Sequence, residues 1–287
     1  MPNYQIITDS GCDLPNEMLQ QLNLKMVSLS MLFRGETVAD SVSGDIKAFY
    51  DAMREGESAS TSAINPDGWA KAMEPVLTGG TDVLVITFSS GLSTTYQSAV
   101  IAAEELREKY PQRKVVVVDS LCASLGQGLL CWYAAKKRDE GMSLEELTLW
   151  IESHKMNICQ WFTVDDLKYL KRGGRVSAAK ALMGTMLNMK PVLHVDDEGR
   201  LVNVSTVRGR KASIRAMAEQ MSELALPGEN DFITICHGDC IDDANDLARM
   251  LKEHQLAKEV FVGYTGAVIG SHSGPGTLAV FFMGSQR

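Results

Sequence analysis

The chain opens with short apolar runs separated by stretches whose apolar residues recur at helical spacing. Tyr4 to Thr8, Lys25 to Leu32, Asp82 to Phe88 and the valine run from Val115 to Val118 each read as a strand. Between them the spacing predicts helices from Leu14 and Pro15 to Gln21, and from Gly44 to Glu55, where Ile46, Phe49, Tyr50 and Met53 carry the period. Further helices are expected from Pro66, with Asn65 as N-cap, from Ser93 to Tyr110 with Ser93 as cap, and from Cys122 to Lys137. Alternating strands and helices predict a mostly parallel sheet flanked by helices. Such sheets bind ligands beyond the carboxyl ends of their strands. Ser10, the loop from Ser89 to Thr95, and Asp119-Ser120 fall at those ends.

The second half has a different rhythm. Strands are expected from Ile158 to Val164, Phe232 to Ile235, Glu259 to Tyr264 and Leu278 to Phe282. A hairpin pairs Pro191 to Asp196 with Leu201 to Val207 around Asp197-Glu198-Gly199. Helices are expected from Ser177 to Leu187, Lys211 to Leu224 and Asp242 to His254. Asp165-Asp166 starts a short helix that ends in the basic loop Lys171-Arg172-Gly173-Gly174-Arg175. The fold class is therefore α/β: a parallel-sheet domain over residues 1–150 and an α+β domain over residues 151–287, joined through the charged helical stretch near Ser143 to Lys155.

Composition narrows the picture mainly by exclusion. The 287 residues are 45% hydrophobic and 22% charged, which suits a sizeable core. A net charge of −8 argues against nucleic-acid binding, which needs a basic surface. No apolar run approaches the ~18 residues of a membrane span, and no charged and apolar leader precedes the first strand. A cytoplasmic location is expected, with the six scattered cysteines as reduced thiols. Methionine is abundant at 15 residues. Met26, Met31, Met183, Met186, Met189, Met217, Met221 and Met250 are either core filler or the lining of an adaptable apolar cavity.

The candidate chemistry lies in three small-residue segments: Ser60-Thr61-Ser62, the loop from Ser89 to Thr95, and Gly270-Ser271-His272-Ser273-Gly274-Pro275-Gly276. The last reads as a glycine-rich turn that displays a histidine ahead of a strand. Hydroxyls and one imidazole, if the three segments meet, suit a compact anionic head group such as a carboxylate. A helix start after Ser93 would add free N–H groups and positive potential. His272 beside Ser93 is also a candidate general base, although no nucleophile elbow of the Gly-x-Ser-x-Gly type occurs. There is no P-loop. Gly126 and Gly128 after the valine strand mimic a dinucleotide turn but fall inside a helical pattern. Cys236-His237-Gly238-Asp239-Cys240 lacks a second ligand pair, and no metal site is assigned. The basic loop, with Arg208, Arg210 and Lys211 further on, is either solvated charge or a docking face for an acidic or phosphorylated partner.

Seven segments in order complete the reading: ITDSGCDLP, TSAINP, FSSGLSTTYQSA, VVDSLCASLGQGLL, DDLKYLKRGGRVS, HGDC and GAVIGSHSGPGTLAVFF. Together they resemble the bacterial DegV family over nearly the whole chain. The resemblance implies a two-domain α/β protein that holds one long-chain fatty acid between its domains. It further implies the role of the fatty-acid-binding subunit (FakB) of bacterial fatty acid kinase, non-catalytic by itself. A separate ATP-binding subunit, carrying ATP and Mg, would convert the bound acid to an acyl phosphate for phospholipid synthesis. Carried over by position, Thr61, Ser62, Ser93, His272 and Ser273 resemble the carboxylate-binding group. Met183, Met186 and Leu187 would line the tail, and Arg172, Arg175 and Arg208 would face the kinase. Transient contact with a membrane surface fits such a carrier. The competing reading is a stand-alone enzyme, either a Ser93/His272 hydrolase or a subunit resembling dihydroxyacetone kinase that binds a small ketose.

Overall fold

The first apolar run forms β1 (Tyr4–Asp9), buried along almost its whole length and paired in parallel on both edges. Its neighbours are β2 (Leu24–Val27) and β6 (Asp82–Thr87), and β7 (Val115–Asp119) extends the sheet to the order β2-β1-β6-β7. Parallel neighbours require crossovers: α1 (Asn16–Gln21) joins β1 to β2, and α4 (Thr95–Lys109) joins β6 to β7. The computed structural model describes residues 3–40, 45–175 and 188–287. The helix expected from Ser177 to Leu187, with Met183, Met186 and Leu187, lies outside them.

The single strand expected from Lys25 to Leu32 is two strands in different sheets. β2 ends at Val27, and β3 (Ser30–Phe33) joins β4 (Glu36–Ala39) and β5 (Ser60–Ser62) in a small antiparallel sheet of order β4-β3-β5. The break has a local cause. The Leu29 N–H donates to Ser10 Oγ at 3.0 Å, and the Leu29 carbonyl accepts from Asp40 at 2.8 Å, which draws the chain away from the parallel sheet. The hydroxyl segment around Thr61 is thus a strand, held opposite Met31, and α2 (Ile46–Arg54) and α3 (Pro66–Thr78) flank it in the chain.

The second half builds a six-stranded sheet of β8 (Ile158–Thr163), β9 (Met189–Val195), β10 (Leu201–Arg208), β11 (Phe232–His237), β12 (Glu259–Tyr264) and β13 (Leu278–Met283). Its order is β10-β9-β8-β13-β11-β12, antiparallel except between β11 and β12. The period of two decides which residues face which layer. From β13, Leu278, Val280 and Phe282 pack with α8 (Arg210–Leu224) and α9 (Ile241–Glu253), while Ala279, Phe281 and Met283 pack toward α5 (Leu125–Asp139). α5 is the helix between the two sheets. Leu125, Leu129, Cys131 and Ala134 share one buried cluster with Ile6, Leu84 and Ile86 of the parallel sheet and with Phe162, Phe232 and Phe281 of the mixed one. α6 (Leu144–His154), capped by a reciprocal Ser143–Glu146 box, adds Leu144, Leu147 and Ile151 to that cluster. The opposite face of the parallel sheet, with Ile7, Val83, Val85 and Val115, is covered by Trp69, Met73 and Leu77 of α3 and Ala99, Ala103 and Leu106 of α4.

The two glycines that mimic a nucleotide turn are what lets α5 fit. A Cβ on Gly126 would lie 2.7 Å from Phe281 Cδ1 and from Gln160 Oε1, and one on Gly128 would lie 2.6 Å from the Cys12 carbonyl oxygen. Alanine is favoured over glycine in a helix by about 1 kcal/mol, but forcing backbone apart costs about 1–3 kcal/mol. Overpacking wins, so Gly128→Ala is expected to lower the thermal midpoint by a few degrees, at about 2–4 °C per kcal/mol for a chain of this size. Thermal denaturation followed by circular dichroism checks this; an unchanged or raised midpoint would mean that α5 is not wedged.

Candidate functional site

Thr61 and His272 reach each other from opposite ends of the chain. Thr61 comes from β5, and its Oγ1 lies 2.8 Å from His272 Nε2. His272 belongs to α10 (Ala267–Ser273), so the glycine-rich segment is mostly helix where an open turn was expected. The Gly274 N–H closes the last turn on the Gly270 carbonyl at 2.7 Å, and the chain leaves the helix only at Gly274, with φ +85°. The other side of the imidazole is covered by α7 (Lys168–Arg172) and the glycine after it: a Cβ on Gly173 would overlap Nδ1. Nδ1 is buried and has no hydrogen-bond partner of normal geometry among the described residues. Burial first, then the positive charge of Arg175, push the His272 pKa down to about 4, so the ring is neutral near pH 7.

Ser93 stands just ahead of α4. The N-cap is Thr94, one residue later than expected, because the Ser93 hydroxyl takes the Thr95 N–H at 3.2 Å and pairs with Thr95 Oγ1 at 2.9 Å. Ser273 is buried, and its hydroxyl donates to the Ile269 carbonyl at 3.2 Å. Ser62 is exposed. Thr61, Ser62, Ser93, His272 and Ser273 all line one cavity of about 500 Å³, between residues of both halves of the chain. Its apolar walls include Phe88, Leu92, Phe162, Leu170, Val195 and Phe281. Among the described residues no methionine lines it; Met31, Met217 and Met221 sit in the buried cores instead.

The three arginines expected to face a partner differ. Arg172 is exposed, its guanidinium 5.3 Å from the centre of the Tyr169 ring, and Arg208 is exposed at the end of β10. Arg175 is half-buried in the cavity wall, where it donates twice to the Leu92 carbonyl, at 3.2 and 3.1 Å, and once to the Gly173 carbonyl at 2.7 Å. Gln160 and Thr265 are among the lining residues that escaped the sequence reading. Gln160 bridges the sheets, accepting from the Ala123 N–H at 2.9 Å and donating to the Leu121 carbonyl at 3.2 Å. A lone amide in an otherwise apolar strand was its signal. Thr265, two residues before α10, carried none.

A family model described as an uncharacterised protein of the DegV family matches residues 3–285. The chain belongs to the DegV family. A DegV domain-containing protein of Clostridium perfringens is 41% identical over 100% of this chain and 99% of its own length. A DegV family protein from Thermus thermophilus, described for its fatty acid binding, superposes with a TM-score of 0.89 at 32% identity, covering 97% of this chain and 98% of that one. DegV from Bacillus subtilis, described as a fatty acid binding protein, gives a TM-score of 0.82 at 30% identity over 98% and 99% of the two chains. The α/β architecture with its parallel and mixed sheets is that of these DegV proteins. No helix among the described residues is long and apolar enough to cross a membrane.

The neutral histidine makes stability depend on pH. The unfolded chain binds the His272 proton near the ordinary 6.5, the folded chain only near 4. The contribution is therefore complete above pH 6.5 and declines as pH falls toward 4, by about 2–3 kcal/mol. Asp9, fully buried and pushed up to about 7 chiefly by desolvation, acts in the opposite sense over the same range. The histidine's share must then be read as a difference. His272→Gln is expected to lose less stability than the parent between pH 6.5 and 4 in parallel denaturant titrations; superimposable pH profiles would show that the ring is not held neutral.

Proposed function

We propose that this chain binds one long-chain fatty acid in the cavity, with its carboxylate at Thr61, Ser93 and His272, and presents it to a separate ATP-dependent kinase subunit. The observation that carries the reading is the Thr61–His272 pair, 2.8 Å apart, set in a cavity with otherwise largely apolar walls. The Thermus and Bacillus relatives described as binding fatty acids support it. At ~0.8 kcal/mol per buried CH₂, a sixteen-carbon tail gains roughly 10 kcal/mol as an upper bound, so the tail dominates affinity and the head group needs only its hydrogen bonds satisfied.

Neutral donors suit the next step. In acyl phosphate formation a carboxylate oxygen attacks the γ-phosphorus of ATP, the new O–P bond forms as the bond to the β-phosphate oxygen breaks, and ADP leaves. A tight ion pair would stabilise the carboxylate before reaction and blunt that attack. Here Arg175, the cation among the described lining residues, is engaged with the Leu92 and Gly173 carbonyls. ATP and Mg belong to the partner in this reading, consistent with a sequence that has no P-loop. In this reading the exposed Arg172 and Arg208 would meet that partner. The hydrolase reading has less support, because the His272 Nε2 partner is Thr61 and the Ser93 hydroxyl pairs with Thr95.

Titration calorimetry of the delipidated protein with palmitate tests the head-group assignment. Thr61→Val and His272→Ala are each expected to weaken binding about 5–30-fold, one hydrogen bond's worth, while tail-driven binding persists. Unchanged affinity in both variants would remove the assignment. Arg172→Ala is expected to keep its palmitate affinity but lose most acyl phosphate formation when coupled to a fatty acid kinase ATP-binding subunit; normal coupling would discard the docking role.

A further inference from the structure

The imidazole of His272 is held by contacts that lie outside the cavity. α10, which carries it, is capped by Gly274, and a Cβ on that glycine would overlap the Tyr169 ring of α7. Tyr169 thus fills the space that Gly274 leaves, two residues beyond the imidazole. It is buried, in one cluster with Tyr50 and Met53 of α2 and Ala267 and Val268 of α10, and is not among the residues that line the cavity. Its hydroxyl donates to the Met53 carbonyl at 3.2 Å, which ties down the far end of the ring. Its carbonyl accepts from the Gly173 N–H at 2.9 Å, and Gly173 is the residue whose missing Cβ makes room for His272 Nδ1.

Helical geometry says what this packing does. Residues four apart share one face of a helix, and the residue midway between them projects from the opposite face. Gly270 and Gly274 are such a pair, and His272 lies between them. A Cβ on Gly270 would overlap the Tyr50 hydroxyl, so tyrosines back both glycines on the face away from His272. Without the Tyr169 ring, the end of α10 is free to settle back and draw Nε2 away from Thr61 Oγ1, now 2.8 Å distant, and hydrogen bonds weaken steeply with such displacement. We infer that Tyr169 is a positioning residue for the head-group site: its ring, packed behind the end of α10, sets the reach of His272 toward Thr61 and toward the carboxylate of a bound fatty acid. This rests on the fatty-acid reading above and adds to it a residue that does not touch the ligand. The same ring orders part of the basic segment, with Lys168 Nζ 4.8 Å and the Arg172 guanidinium 5.3 Å from its centre.

A double-mutant cycle separates positioning from a general structural role. Palmitate binding to the delipidated full-length protein would be measured by calorimetry for Tyr169→Leu and Tyr169→Phe, each alone and combined with His272→Ala. Tyr169→Leu, which removes ring bulk, is expected to weaken palmitate about 3–10-fold, within one hydrogen bond's worth. Once His272 is gone, the same change is expected to cost less than about twofold, because residues that act through one interaction are not additive. Tyr169→Phe, which keeps the ring, is expected to restore the parental affinity. Followed by NMR, the His272 imidazole is expected to titrate near 4 in the parent and closer to 6.5 in Tyr169→Leu, since burial is what lowers it. Tyr169→Met, which fills more of the space, carries the same expectations and serves where Tyr169→Leu does not fold. An equal loss of affinity in both backgrounds would overturn the inference, as would unchanged affinity in Tyr169→Leu or a loss in Tyr169→Phe as large as in Tyr169→Leu. Failure of the parent protein to bind palmitate would instead defeat the underlying fatty-acid reading.

Discussion

The arrangement of this molecule depends on how closely one helix lies between two sheets. α5 shares buried contacts with the parallel sheet and with the mixed sheet, and at Gly126 and Gly128 it leaves no room for a Cβ. Where the helix begins, the chain turns through Leu121 and Ser124, both at φ +53°, a conformation that non-glycine residues adopt at a cost. The turn is held by side chains: Asp119 accepts from the Ser90 and Leu121 N–H groups, and Gln160 takes that of Ala123. The cavity lies beyond the carboxyl ends of β6 and β7, with Phe88, Ser90, Ala123 and Ser124 in its lining. Where α5 fills the gap between the sheets there is core; beyond its first turn there is space for a ligand.

Charge is managed around that space rather than placed in it. His272 is neutral because it is buried and lies near Arg175, and Arg175 directs its donors to backbone carbonyls. The acids behind the cavity are likewise tied. Asp9 accepts from the Phe88 and Gly11 N–H groups, Asp13 from the Ser124 hydroxyl, and Asp40 from the Ser10 hydroxyl and the Val268 N–H. Burial raises the pKa values of Asp9 and Asp13. Hydroxyls and a neutral imidazole in a chamber with largely apolar walls suit the proposed fatty-acid ligand.

Much of this was legible in the sequence because period and composition report on burial. The valine strand, the β9–β10 hairpin and the long helices fall close to where their patterns place them. The failures come from interactions between distant residues. Nothing local marks the break after Val27, which depends on Ser10 and Asp40. The run from Gly270 to Gly276 looks like a turn, yet most of it is helical within the packed interior. Arg175 and Arg172 sit in one basic motif, but only the fold turns the first into the cavity wall.

The most direct test of the central claim is mass spectrometry of lipid extracted from freshly purified, folded protein. The account predicts long-chain fatty acid at close to one molecule per chain, lost on delipidation and regained on adding the acid. A folded protein that carries no acyl chain, and takes up none when fatty acid is supplied, would contradict it.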